Sequence, residues 1–165
     1  VDALERNGFV VRAIASGNPL VQVDYTAGRR ISPEDIENLG KIGKQIYALN
    51  LRASGITDEQ LATFGRLENL ARLRLEQNPI TDAGLAHLAP LKKLEYLNLY
   101  GTKVTDKGLA SLAALDSLRS VYVWQTAVTP AAVAEFRRTH ADVAIDAGFD
   151  SKSFPEGPKV IPVVN

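Results

Sequence analysis

Few side chains in this sequence have the types and spacing that catalysis requires. The chain has no cysteine, which excludes disulfides, thiolate nucleophiles and thiolate metal sites. Its two histidines, His87 and His140, fall on different predicted helices, so they cannot form a His-pair metal site or share one Ser-His arrangement. We therefore expect a protein that is not an enzyme, with no cofactor and no metal in this chain.

The charged residues offer no better catalytic or phosphate site. Paired carboxylates occur in "SPEDIE" and "TDEQ", but these fall in the first turns of predicted helices, where the helix dipole favours acids. Gly40 and Gly43 lack the lysine and hydroxyl residue of a phosphate-binding loop, and Arg29 with Arg30 is expected in a solvated loop. Nineteen basic and 19 acidic residues cancel, which argues against a nucleic-acid partner. No apolar run approaches the roughly 18 residues of a membrane span, so direct membrane insertion is not expected.

Recognition is the chemistry that the remaining side chains favour. Tyr, Trp and Arg dominate the energetics of protein interfaces, because they bury a large area at low entropic cost and keep a polar group. The segment "VYVWQTAVTP" contains the single tryptophan of the chain, Trp124, two residues after Tyr122. Whether such rings reach a surface depends on the elements that position them.

A 24-residue repeat determines those elements. Apolar residues recur at this spacing in six columns over four copies, including the column Leu49, Leu73, Leu97 and Val121 and the column Leu61, Leu85, Leu109 and Val133. At the start of each copy the apolar residues lie two apart, which indicates a strand, and further on they lie three apart, which indicates a short helix. One strand and one helix cannot bury their apolar faces alone, so neighbouring units must stack into a solenoid.

Each unit also carries signals for where its helix starts. A threonine comes just before each helix, where its hydroxyl can accept a backbone N–H of the first turn: Thr57, Thr81, Thr105 and Thr129. Thr57 with Gln60 predicts a capping box, and the Thr-Asp pairs are interpreted as helix caps. The turn after each strand has Ser54, Asn78, Thr102 and Thr126 at one repeated position. We expect the hydroxyls to bond turn backbone there as the asparagine does, with less reach.

The strand alternation predicts a binding face. Successive strand residues point to opposite sides, so the apolar columns enter the core and the residues between them reach the other surface of the sheet. Four of these, Tyr96, Tyr100, Tyr122 and Trp124, are expected to form one aromatic patch with arginines beside it. The candidate ligand-binding residues are Arg52, Arg72, Arg74, Glu76, Tyr96, Asn98, Tyr100, Tyr122 and Trp124.

The organisation of the chain follows from the repeat. Residues 1–19 are predicted to form an N-terminal cap of a helix and a strand, which pairs as a hairpin with the strand after "GNP". Residues 20–142 are assigned to about five repeat units, the first of them degenerate. Residues 143–165 are assigned to an edge strand and an extended tail or linker. The edge strand, "VAID", comes two residues early against the repeat, and Phe149 or Phe154 is expected to fold back on the last unit.

The repeated pattern, LxxLxLxx(N/S/T)x(I/V)T(D/P)xxLxxLxxL, resembles that of leucine-rich repeats. The copies "LARLRLEQNPITDAGLAHLAPL" and "LEYLNLYGTKVTDKGLASLAAL" fit it at nearly every position. The resemblance implies an α/β fold: a short horseshoe-shaped solenoid with a parallel β-sheet on the concave side and short helices on the convex side. The repeats are also similar to the "ITDxGL" type in envelope proteins of planctomycetes and Bacteroidetes that carry c-type cytochrome domains. This likeness implies an extracytoplasmic bacterial setting, with any haem outside this chain, which has no Cys-x-x-Cys-His.

Two functions from different classes fit these observations. In the first, the chain is a recognition module that binds a protein, or a glycan whose sugar rings stack on the aromatic face. In the second, it is a rigid spacer that orients neighbouring domains, and its aromatic residues only stiffen the sheet. Both functions place it within a larger multidomain protein, an expectation supported by a sequence that begins with Val and contains no Met.

Overall fold

A computed structural model of the protein describes residues 2–148, so Phe149 and Phe154 lie outside the described residues. Short helices alternate with short strands along the chain. The α-helices are α1 (Asp2–Arg6), α2 (Pro33–Lys41), α3 (Asp58–Leu61), α4 (Asp82–Ala86), α5 (Asp106–Ser111) and α6 (Pro130–Thr139), with 3-10 turns at Gly43–Gln45, Ala62–Arg66 and Leu112–Ala114. The strands are β1 (Phe9–Ala13), β2 (Val21–Tyr25), β3 (Ile46–Asn50), β4 (Arg72–Arg74), β5 (Tyr96–Asn98), β6 (Ser120–Tyr122) and β7 (Ala144–Asp146).

The seven strands form one sheet in the order in which they occur in the chain. The hairpin of β1 and β2 is antiparallel, and every later strand pairs in parallel with the one before it. From β3 onwards the pairing keeps the repeat spacing, since Leu49 lies opposite Leu73, and Leu73 lies opposite Leu97. The parallel sheet with short helices along one side, and with a helix and hairpin at its N-terminal end, confirms the predicted α/β solenoid.

The core lies between the sheet and the helices. Strand residues such as Leu73 and Leu97 are fully buried, as are Leu61 and Leu88 on the helical side, and all belong to one hydrophobic cluster. No unit could bury these side chains alone, because strands of three residues and helices of four to six residues have too little surface of their own.

The expectation that residues 143–146 come two residues early is wrong. Ile145 lies opposite Val121 and Ala144 lies opposite Ser120, so β7 keeps the repeat frame. The error arose from equating Val143 and Ile145 with Val121 and Val123. In the structure Ile145 and Ala147 are the buried residues that match Val121 and Val123. Alanine is only a weak apolar signal, so the sequence pattern did not indicate this alignment.

The loop between β2 and α2 contains an ion pair that the sequence did not indicate, although Arg29 and Arg30 are exposed there as expected. Arg29 donates to both carboxylate oxygens of Asp35, at 2.9 and 3.2 Å, and the Asp35 side chain has no exposed surface. The same carboxylate accepts the Ser32 amide at 2.7 Å, while the Ser32 hydroxyl caps α2. Arg29 is thus not simply solvated, and Asp35 is not an ordinary surface acid.

The ion pair of Arg29 with Asp35 is expected to make the free energy of unfolding depend on pH. Burial raises the pKa of Asp35, but the hydrogen bonds from Arg29 and Ser32 outweigh it and hold the pKa below its usual value. The stabilisation is therefore complete above the unfolded pKa of about 4 and is lost as the pH falls through the lower, folded pKa. We expect Asp35→Asn to be less stable than wild type at about pH 7, with the difference shrinking towards about pH 3. Urea unfolding at both pH values tests this, and a difference that stays constant would contradict it.

Aspartates link each helix to the next one, a feature that the sequence interpretation missed. Asp58, Asp82 and Asp106 each accept two hydrogen bonds from the threonine that precedes the following helix. The amide bonds measure 2.7–2.9 Å and the hydroxyl bonds 2.5–2.8 Å. We call each pairing an Asp–Thr clamp: Asp58 with Thr81, Asp82 with Thr105, and Asp106 with Thr129. The threonines are helix caps as predicted, whereas the aspartates act between units.

Of the four polar turn residues, Asn78, Thr102 and Thr126 bond turn backbone as expected, whereas the hydroxyl of Ser54 donates to Asn78 Oδ1 at 3.4 Å. Thr102 and Thr126 donate to the carbonyls of Leu99 and Val123 at 2.7 and 2.6 Å, which confirms that hydroxyls serve there. Asn78 does more: its amide donates to the carbonyls of Leu51 and Leu75 at 2.7 and 2.9 Å. Its carbonyl accepts the Gly55 amide at 2.8 Å, so one buried side chain joins two units.

Candidate functional site

The face of the sheet opposite the helices presents the predicted candidate residues in lateral rows. We call it the open face and define it by Arg52, Arg72, Arg74, Glu76, Tyr96, Asn98, Tyr100, Tyr122 and Trp124. Arg72 lies opposite Tyr96, and Asn98 lies opposite Tyr122. The backbone ladder continues past the strands, because the amides of Ala53, Gln77 and Gly101 donate to the carbonyls of Glu76, Tyr100 and Trp124 at 2.8–2.9 Å. Arg52, Glu76, Tyr100 and Trp124 therefore form one row across four units.

The four aromatic side chains pair two by two between neighbouring units. The rings of Tyr96 and Tyr122 lie 5.3 Å apart between centroids and are tilted by 48°. Those of Tyr100 and Trp124 lie 5.8 Å apart, edge to face at 70°. The Trp124 side chain remains 51% exposed, which makes it the one large hydrophobic residue exposed within residues 2–148. The predicted single patch thus consists of two ring pairs, and its most accessible member is Trp124.

Arg72 extends the first ring pair towards β4. Its guanidinium carbon lies 4.5 Å from the centroid of the Tyr96 ring, within the range of a cation–π contact. Tyr96 therefore has a cation on its β4 side and the Tyr122 ring on its β6 side. Burial raises the pKa of Tyr122, with Tyr96 and Asp146 adding to the effect and Arg72 opposing it. Tyr122 consequently stays a neutral phenol at physiological pH.

Glu76 lies beneath the open face and is only 4% exposed. One of its oxygens accepts from Arg74 Nη2 at 2.6 Å, from Arg74 Nε at 2.8 Å and from Asn98 Nδ2 at 3.0 Å. Burial lowers the pKa of Arg74, but the hydrogen bond and charge of Glu76 outweigh this, and the net shift is upward. The second oxygen of Glu76 has no hydrogen-bond partner in the described part of the chain. The structure thus places Glu76 as the internal counter-charge of Arg74.

The side-chain amide and carbonyl of Asn98 also form hydrogen bonds within the protein. Besides the bond to Glu76, its amide donates to the Tyr96 hydroxyl at 3.4 Å, and its carbonyl accepts the Tyr100 amide at 3.0 Å. It therefore positions both ring pairs.

Arg52 makes fewer contacts within the protein. Its Nε donates to Gln77 Oε1 at 3.4 Å, and the residue is exposed.

Gly148 packs against Trp124, a contact that the sequence interpretation missed. A methyl group at Gly148 would overlap the indole ring, and the residue has a positive φ of 76°. The chain beyond β7 thus crosses one side of the exposed indole. No feature of the repeat predicts this contact, because it forms after the last unit.

The two ends of the sheet differ in charge from its centre. On β2, Asp24 accepts from Arg12 at 3.0 Å, from Gln22 at 2.9 Å and from Asn50 at 3.1 Å. On β7, Asp146 accepts the Gly148 amide at 2.9 Å. Carboxylates therefore flank the open face, and its arginines lie between them on β3 and β4.

The histidines contribute to local structure and lie apart from this face. His140 stacks on Phe136 with 4.5 Å between ring centroids, and His87 ends α4. Within residues 2–148, no group of three or more His, Asp and Glu side chains is arranged to hold a metal ion. Among the same residues, no helix is long and apolar enough to cross a membrane.

Comparisons with known proteins found a family match over part of the chain and a similar solved structure. Residues 44–104 match the family described as "Leucine rich repeat". Among solved structures, the chain is similar to the leucine-rich-repeat ectodomain of the receptor kinase SOBIR1 from Arabidopsis thaliana. That alignment has 17% identity and a TM-score of 0.47, and it covers 85% of this chain and 78% of the other. No curated protein matches the chain. Residues 44–104 thus resemble leucine-rich repeats, and the parallel sheet with short helices along one side has the fold of a leucine-rich-repeat solenoid.

Proposed function

We propose that this chain is a non-catalytic recognition module that binds a protein partner through its open face. Leucine-rich-repeat domains generally mediate recognition between proteins. The observation that supports the proposal here is the half-exposed Trp124, fixed beside Tyr100 and in one row with Arg52. An exposed indole on a rigid sheet loses little conformational freedom when a partner covers it, which favours affinity.

The alternative is a rigid spacer with no ligand of its own. Contacts within the open face favour this alternative, because the aromatic rings contact each other and Glu76 neutralises the charge of Arg74. The two functions differ in what the rings contribute. In a spacer they contribute stability, whereas in a recognition module they contribute affinity.

A double substitution, Tyr100→Ala with Trp124→Ala, distinguishes the two functions. We would immobilise the wild-type protein, select binders from a displayed random-peptide library, and measure their affinity for the variant. Recognition predicts that the selected peptides lose about tenfold or more in affinity, because two contact side chains are removed. It also predicts little change in melting temperature, because an exposed aromatic pair contributes only about 1 kcal/mol to stability. Leu97→Ala is unsuitable as a control because it empties the core, so Lys107→Ala on α5 is the matched surface control.

The spacer predicts the reverse pattern. Peptides would bind the variant as well as wild type, or none would be selected, and the variant would unfold at a clearly lower temperature. That result would contradict the recognition proposal.

We also propose that the module belongs to a larger bacterial envelope protein with a c-type cytochrome domain, and that it lies outside the cytoplasm. This proposal is supported by the likeness of the repeat sequences to those of planctomycete and Bacteroidetes proteins. The full-length gene tests it, and a gene with no haem-binding motif and no export signal would contradict it.

A further inference from the structure

The positive charge of the open face is confined to two of its arginines. Within residues 2–148, neither Arg52 nor Arg72 has a carboxylate within salt-bridge distance, whereas Arg74 is paired with Glu76 at 2.6 Å. The carboxylates at the two ends of the sheet, Asp24 and Asp146, lie on β2 and β7. A ligand that crosses the face therefore meets unneutralised guanidinium groups over β3 and β4, and aromatic rings over β5 and β6.

The strand spacing gives the distance between these two regions. Arg52 and Trp124 occupy the same row and are separated by three strand-to-strand steps. At about 4.8 Å per step this is about 14 Å, which an extended peptide spans in about four residues. One side chain of such a peptide would lie over Arg52 and another, about four residues away, over Trp124.

The exposure of the rings favours a peptide over a sugar. A sugar ring binds an aromatic residue by covering one face of it. Tyr96 has Arg72 on one side and Tyr122 on the other, and Gly148 covers part of Trp124 while Tyr100 contacts it as well. The exposed part of the Trp124 indole and the guanidinium group of Arg52 remain accessible. These groups match the carboxylates, backbone carbonyls and apolar side chains of a peptide.

We infer that the partner segment is an extended acidic peptide. In this arrangement an Asp or Glu lies over Arg52, and an aromatic or aliphatic residue about four positions away contacts Tyr100 and Trp124 in the same row. Arg72, which lies level with Ala48, adds positive charge to the same side of the open face. The inference rests on the proposed function and adds to it the chemistry, the spacing and the direction of the bound segment across the strands.

Defined peptides test the inference. The first probe is an extended peptide of about eight residues with a Glu and a Tyr four positions apart. The second has Lys in place of the Glu, and the third has the Glu next to the Tyr. We expect the first probe to bind at least about tenfold more tightly than either of the others, because only it satisfies both charge and spacing. We also expect its affinity to fall as salt is added, since exposed charge pairs are screened.

Charge reversal on the protein gives the second arm. Arg52→Glu with Arg72→Glu is expected to reverse the preference, so that the Lys probe binds more tightly than the Glu probe. Arg66→Glu with Lys107→Glu on the helical side makes the same change in net charge and should leave the preference unchanged. Because Arg72 also packs on Tyr96, Arg52→Glu alone serves as a milder variant, and thermal unfolding verifies that each variant is folded.

The outcomes separate this inference from the proposed function. Peptides that bind through Tyr100 and Trp124 without a preference for acid would overturn the inference and leave the recognition module standing. Binding of a uronic-acid oligosaccharide with no binding of the Glu probe would also overturn the inference. If no peptide depends on Tyr100 and Trp124, both fail.

Discussion

Replacing Asn78 with alanine is expected to lower the free energy of unfolding by about 3–4 kcal/mol. The Asn78 side chain is buried and donates to the carbonyls of Leu51 and Leu75 while accepting the amide of Gly55. Alanine would leave these backbone groups without partners in a place that water reaches poorly, and each unpaired buried group costs about 1–3 kcal/mol. Because the bonds join two neighbouring units, the loss should weaken the stacking of the solenoid as well as one turn.

Urea unfolding followed by circular dichroism measures this effect, and Thr102→Ala is the matched control. Thr102 has the same turn position one unit later, but it makes one hydrogen bond, to Leu99 at 2.7 Å. Its loss should cost about 1 kcal/mol. Asn78→Thr should fall between the two, since a hydroxyl can keep the bond to Leu75. Equal losses for Asn78→Ala and Thr102→Ala would show that the bonds between units add no stability.

Gly108→Ala is expected to destabilise the protein by about 1–3 kcal/mol, although alanine is the better helix former. A methyl group at Gly108 would overlap Asp82 Oδ1 and lie 2.8 Å from a methyl of Val104. Asp82 cannot move away without breaking its two bonds to Thr105. The substitution therefore forces either a strained helix or a broken Asp–Thr clamp.

Two comparisons make this prediction specific. Gly40, in α2, has no atom within 4 Å of an added methyl group, so Gly40→Ala should stabilise the protein by about 0.5–1 kcal/mol. In the Asp82→Ala background, Gly108→Ala should cost less than in wild type, because the crowded carboxylate is gone. If the losses of stability from the two substitutions simply add in that double-mutant cycle, Asp82 does not crowd a methyl group at Gly108 and the prediction is wrong.

The last clamp shows how the protein accommodates a larger residue. Ala132 occupies the position that corresponds to Gly108, and Asp106 still binds Thr129. In this helix Thr129 accepts the N–H of Ala132, whereas Thr105 accepts that of Lys107, two residues after it. The first turn of α6 is thus oriented differently, with Pro130 at its start.

The repeat period predicted the fold because each unit obeys the same local rule. Once Leu49, Leu73 and Leu97 are known to share one column, strand order, register and the side of the core follow without further information. The same rule placed Tyr122 and Trp124 on the open face. The rule also holds at β7, but the expectation for that strand was wrong because Ala147 is too small to mark the frame.

Contacts that depend on the distance between side chains could not be predicted in this way. No sequence pattern indicated that Asp82 binds the threonine of the next unit, because an aspartate in the first turn of a helix is also explained by the helix dipole. The burial of Glu76 depends on Arg74 and Asn98 covering it together. The ion pair of Arg29 with Asp35 depends on how the loop after β2 turns into α2, which the repeat pattern does not specify.

The uniform register has a consequence for how such a surface could evolve. Removing residues 96–119 would place Ser120 after Glu95 and bring Val121 opposite Leu73, in the frame that the other units already use. Asp82 would then meet Thr129 as Asp106 does now, and Trp124 would follow Glu76 directly in its row. Losing one whole unit would shorten the span between cation and indole by about 4.8 Å. For the peptide partner proposed above, the number of units would thus set the spacing required of its side chains, in whole steps of one strand.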